Sequence, residues 1–119
     1  MAVEIPSFIR AWAVAKIDPD TVNTFKGDGI DSVTRTGLGV FEIALTEPFD
    51  ALRTTLEVTT ERTNAGLATY AVAEPDSVAG TVTISIYHDD GITTPTPTDA
   101  AFHYMQTYGN AEAVVQSYV

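Results

Sequence analysis

"DSVTRTGLGVFEIALTEPFDA", residues 31–51, is the stretch whose reading decides the fold. Two alternating runs flank Gly37-Leu38-Gly39, and Pro48 closes the second. Glycine accepts positive φ without a Cβ clash, so the Gly-Leu-Gly segment predicts a hairpin tip between arms at 30–36 and 40–46. Phe41, Ile43 and Leu45 then share one face, while Val40, Glu42, Ala44 and Thr46 share the other, because side chains alternate along a strand. Proline cannot donate to a ladder, which ends the pairing at Pro48.

The same period-two pattern extends in both directions. Residues 8–17 place Trp12 and Val14 on one face and Ile9, Ala11, Ala13, Ala15 and Ile17 on the other. Both faces are mostly apolar, which predicts a strand covered on two sides, with one face free to meet another subunit. Asp18-Pro19-Asp20 reads as a turn, residues 21–26 as a short strand and Gly27-Asp28-Gly29 as a second turn. Downstream, residues 52–60, 67–73 and 80–88 alternate in the same way, separated by polar turns. The expected core is Phe41, Ile43, Leu45, Leu56, Val58, Val82, Ile84 and Ile86, each inward side chain contributing roughly 1.5–3 kcal/mol on burial. The fold class is therefore all-β, an antiparallel β-sandwich (jelly-roll or Ig-like) of about seven to eight strands.

The last 30 residues of the chain read differently. Residues 92–98 are polar and carry Pro95 and Pro97, which predicts an extended linker. Thr98 or Asp99 could cap a short helix over 99–108, with Ala101, Phe102, Met105 and Tyr108 on one stripe, ending at Gly109. This divides the chain into a sandwich domain at 1–91 and a C-terminal extension at 92–119. A helix so short is marginal alone and must dock. Trp12, Phe102, Met105, Tyr108, Val114, Val115 and Tyr118 are the expected interface residues, and cutting after Gly91 is expected to leave the sandwich folded.

Composition narrows the function. Sixteen acidic residues against six basic ones give a net charge of −10 over 119 residues, without a Lys/Arg cluster to neutralise phosphates or anionic lipid. Nucleic acid and membranes are therefore not expected partners. The absence of cysteine excludes disulfides, thiolate metal sites and a Cys nucleophile. The first residues lack the basic leader and apolar core of an ordinary cleaved signal.

Candidate chemistry reads as structure. Asp18 and Asp20, Asp28 and Asp31, and Asp89 and Asp90 sit in turns, where Asp ordinarily bonds nearby amides, and none fits the twelve-residue calcium loop. His88 and His103 lack zinc-ligand spacing. None of Ser7, Ser32, Ser77, Ser85 and Ser117 lies in a G-x-S-x-G elbow. No enzyme activity and no cofactor are expected. Tyr70, Tyr87, Phe102, Tyr104, Tyr108 and Tyr118 could form a sugar-stacking face or an interface core, the interface being preferred for the C-terminal set.

Three segments carry a resemblance: Arg10-Ala11-Trp12, then Ser32 through Phe41 (SVTRTGLGVF), then Leu45-Thr46-Glu47-Pro48. In this order, over residues 8–51, they resemble a pattern of phage virion proteins, the small β-rich capsid decoration and tail-fibre-associated accessory proteins. The resemblance implies a scaffold without catalytic residues, a virion location on the capsid exterior rather than the tail, and a homo-oligomer, with a trimer favoured. The implied partners are the major capsid protein or other virion proteins. The alternative reading is a tail-fibre or knob module that binds host-surface glycans.

Overall fold

The computed structural model describes residues 10–22, 25–61 and 68–110, with the backbone alone at 10–12, 51, 53, 109 and 110. The described residues form strands and their connections, with no α-helix: β1 (Arg10–Ile17), β2 (Lys26–Asp28), β3 (Ile30–Gly37), β4 (Val40–Leu45), β5 (Phe49–Thr60), β6 (Ala68–Asp76), β7 (Thr81–Asp89), β8 (Thr96–Pro97) and β9 (Phe102–Asn110). They make two antiparallel sheets packed as a sandwich. Sheet A runs β2-β1-β9-β5; sheet B runs β3-β4-β7-β6, with the two-residue β8 added to β7 beyond the end of β4.

The hairpin at 30–45 forms as its pattern requires, with Val33 opposite Ile43 and Arg35 opposite Phe41. Only one of its two glycines is needed by the turn. Gly39 has φ 71°, whereas Gly37 is not in the left-handed region. A Cβ on Gly39 would also stand 2.7 Å from the Ile86 carbonyl oxygen and 2.8 Å from that of Thr98, so a side chain is barred twice there. The second turn shifts. Gly27 and Asp28 are strand rather than turn, in β2, which pairs Lys26 with Lys16 and Asp28 with Val14.

Inward alternation builds the core. Phe41, Ile43, Val82, Ile84 and Ile86 are buried, and Leu45, Leu56 and Val58 pack partly buried against them. On β1, Ala13, Ala15 and Ile17 are buried, but the opposite face is open, with Val14 36% exposed. The strand is therefore covered on one side within the single chain. Phe49, just past Pro48, adds an unexpected anchor that is buried against Tyr108 with ring centroids 5.9 Å apart.

The helix expected over 99–108 is instead β9, and it is central. It pairs with β1 from Arg10↔Gly109 to Ile17↔Phe102 and with β5 from Thr54↔Tyr108 to Thr60↔Phe102. The sandwich therefore does not end at residue 91, since β9 (Phe102–Asn110) joins the first strand to the fifth. The strand period also redistributes its side chains. Phe102, Tyr104, Gln106 and Tyr108 point inward, and Met105 flips to the other face, whereas a helical period would have grouped it with Phe102 and Tyr108. Phe102 meets Phe41 across the two sheets at 5.3 Å.

The alternation of β9 is hard to read because its buried set contains a polar residue. Gln106 is fully buried, accepts from the Tyr104 hydroxyl and donates through Nε2 to Thr54 Oγ1 at 2.7 Å. Burial pushes the Tyr104 phenol above its ordinary range and keeps it a neutral donor. The chain of bonds satisfies groups that would otherwise cost about 1–3 kcal/mol each when buried unpaired.

The hairpin tip is latched to the approach of β9. Arg35 donates to both Asp99 carboxylate oxygens, through Nη2 at 2.9 Å and Nε at 3.1 and 3.2 Å, and the Gly39 N–H donates to Asp99 Oδ1 at 2.7 Å. Backbone bonds from Ile86 to Gly39 and from Thr98 to Ile86 complete the junction. Partial burial pushes the Asp99 carboxyl up, but the Arg35 guanidinium and the Gly39 N–H outweigh it and hold the group below the usual carboxylate range.

Two outcomes follow. Truncation after Gly91 removes β9, leaving β1 and β5 without a shared partner, and is expected to abolish the cooperative unfolding transition and the β-sheet circular dichroism spectrum. Because Asp99 titrates lower when folded, its stabilisation is present above the unfolded carboxylate value of about 3.9 and is lost as pH falls through the folded value. Asp99→Asn should therefore lower the urea midpoint at neutral pH, and its deficit against the wild type should shrink as pH approaches about 3.

Candidate interaction surface

The open face of sheet A is built by register. Residues directly opposite on neighbouring strands present their side chains to the same face. One row reads Lys26, Lys16, His103 and Thr59 across β2, β1, β9 and β5. The adjacent row reads Asp28, Val14, Met105 and Glu57. Both lysines of the chain thus stand side by side, although they are ten positions apart in sequence. Lys16 reaches Glu61 at 3.4 Å, with both side chains more than half exposed. Ion pairs this open contribute little.

Between the rows lies a groove of about 420 Å³, lined by Val14, Lys16, Lys26, Glu57, His103 and Met105, with Ala15, Gly27, Tyr104 and Thr59 at its margins. Its exposed lining is mostly apolar. Met105 is 44% exposed here, a high value for an apolar side chain at the centre of a sheet. Gly27 allows β2 to lie this close. A Cβ at that position would collide with the Val14 carbonyl oxygen and the Ala15 side chain. The face therefore depends on a glycine that sequence reading had placed in a turn.

The open face of sheet B is different in character. Glu42, Glu74 and Asp76 line a polar hollow of about 530 Å³ together with Thr81 and Thr83. Further along, Tyr70 and Tyr87 form a cross-strand pair with centroids 5.6 Å apart and planes at 30°. Neither lysine of the chain lies on this face.

The expected interface residues divide accordingly. Met105 lies on the sheet A groove. Phe102 and Tyr108 do not serve an interface, because the strand period buries both in the core. Trp12 pairs with Thr107 through its backbone, and its side chain lies outside the described residues, as do Val114, Val115 and Tyr118. Tyr104 is also a core residue, so the only tyrosines of the described set on an open sheet face are Tyr70 and Tyr87.

The acidic turns show local bonding. Asp18 accepts from the Asp20 N–H, Asp89 from Gly91, and Asp90 from Ile92, Thr93 and the Thr93 hydroxyl. The backbone N–H groups of Thr93 and Ile92 hold the Asp90 carboxyl below its ordinary value. Among the described residues no three His, Asp or Glu side chains converge as a metal site requires. His88 and His103 lie on strands of different sheets. The row of lysines and His103 was not legible from sequence because it needs the registers of two strand pairings at once. The one available signal was the apolar Trp12/Val14 face predicted for β1.

Comparison with known proteins supplies no relative: no family model, no curated protein and no solved structure matches the chain.

Proposed function

We propose that the chain is a non-enzymatic structural protein of a phage virion, a capsid decoration protein that binds the outer shell and stabilises it through contacts between subunits. The observation that carries this reading is the open face of sheet A, where exposed Val14 and Met105 lie between lysines and carboxylates on a rigid sheet. An apolar centre with a charged rim is the usual anatomy of a protein–protein contact. The residue pattern at 8–51, similar to that of small β-rich virion proteins, supplies the class of assembly. The acidic remainder of the surface suits a protein that faces solvent. Decoration then acts by linkage, since a protein that binds only the assembled shell stabilises it in proportion to its occupancy.

Quantitative mass spectrometry of purified particles should find the chain in a copy number comparable to the capsid subunits, and particles stripped of it should lose their contents at lower temperature. A few copies confined to the tail would overturn the capsid assignment.

The Tyr70–Tyr87 pair favours a second reading, a tail-fibre or knob module that binds host-surface glycans through the open face of sheet B. On that reading a glycan array gives a signal that Tyr70→Ala removes, and a blank array excludes it.

A further inference from the structure

The open face of sheet A carries one reactive group that plain attachment does not use, the Met105 thioether. We infer that Met105 is an oxidation site, at which peroxide turns this face from apolar to polar without unfolding the chain and so blocks attachment. The last step rests on the reading of this face as the attachment surface and names what regulates it.

Methionine usually fills gaps inside a core. Met105 is instead 44% exposed on β9, the strand between β1 and β5. It lines the groove of about 420 Å³ together with Val14, which is 36% exposed, so a small oxidant reaches its sulfur. The sequence has no cysteine and one other methionine, Met1, which lies outside the described residues. No thiol therefore competes for hydrogen peroxide. The sulfur lone pair attacks one peroxide oxygen, and the O–O bond breaks as the S–O bond forms. Sulfur gives up two electrons, and the proton on the transferred oxygen passes to the departing hydroxide, leaving sulfoxide and water.

Strand alternation decides what the added oxygen does. Tyr104 and Gln106 point inward and Met105 outward, so the oxygen enters no core and leaves the bonds from Tyr104 to Gln106 to Thr54 in place. It stands at the centre of the open face, beside Val14 and Glu57 in their row. A sulfoxide is polar and costs free energy to strip of water, so a protein partner loses the apolar centre that it would cover. Attachment acts in the opposite sense, because a covered Met105 is shielded from the oxidant.

The test uses the purified full chain and hydrogen peroxide. Peptide mass spectrometry should place one added oxygen on Met105 at a rate within about threefold of that in the urea-unfolded chain. The circular dichroism spectrum and urea midpoint should stay unchanged, and the oxidised chain should leave a hydrophobic-interaction column earlier. On particles stripped of the chain, oxidation should raise the dissociation constant by about tenfold or more, and methionine sulfoxide reductase should reverse the change. Met105→Leu, close in volume, should attach equally well before and after peroxide. A Met105 that resists oxidation until the chain unfolds overturns the inference, as does loss of the native spectrum on oxidation or unchanged column retention. So does an oxidised chain that attaches as before, or a Met105→Leu chain that peroxide also detaches. An unoxidised chain that binds no particles fails the virion reading instead, and the mass, spectrum and column results still decide the oxidation site.

Discussion

The insertion of β9 between β1 and β5 is the constraint on which the remaining structure depends. It pairs the last described strand with the first, Arg10 opposite Gly109, and with a middle one, Phe49 opposite Asn110. Sheet A exists as a four-stranded layer only through this strand. The same strand presents Phe102 to Phe41, so it also binds the two sheets together. Pairing over so long a sequence separation is entropically late, and it places this fold among the slower-forming topologies. The Arg35–Asp99 latch and the Gly39 approach lie at the entrance of β9, and both hold the chain just before the strand begins.

One strand period explains both the core and the surface. Because residues alternate, the burial of Tyr104 and Gln106 forces His103 and Met105 outward. The buried bonds from Tyr104 to Gln106 to Thr54 are therefore coupled to the make-up of the open face. A one-residue slip of β9 would bury His103 and Met105 and expose the aromatic set. The satisfied glutamine opposes such a slip, because its amide finds the Thr54 hydroxyl only in the native register.

The two open faces divide the chain's charge between them. Sheet A sets both lysines and the carboxylates of Asp28 and Glu57 around exposed methionine and valine, so its charges balance, while the described open face of sheet B carries a cluster of carboxylates and the tyrosine pair. In a chain so acidic, that separation gives one face a low barrier to close approach and leaves the other repulsive. Edge strand β6 adds to the protection of sheet B with Pro75, which withholds a donor from any added strand.

Local sequence determined the parts of this protein that need only near neighbours. The hairpin around Gly39, the turn at Asp18, the inward Phe41, Ile43, Val82, Ile84 and Ile86, and the all-β sandwich class were all legible from alternation and turn chemistry. Tertiary structure alone decided β9. The segment FHYMQTY contains a polar residue where alternation demands an apolar one, and in isolation its stripe fits a helix equally well. Pairing on both sides settles it as a strand, because hydrogen bonds to β1 and β5 and the Thr54 partner for Gln106 become available only once the sheet is assembled. The same assembly placed Met105 on a surface and Phe102 and Tyr108 in the core, and it brought Lys16, Lys26 and His103 into one row. Such a row depends on the mutual register of three strands, and register is a property of the folded sheet that no single segment encodes.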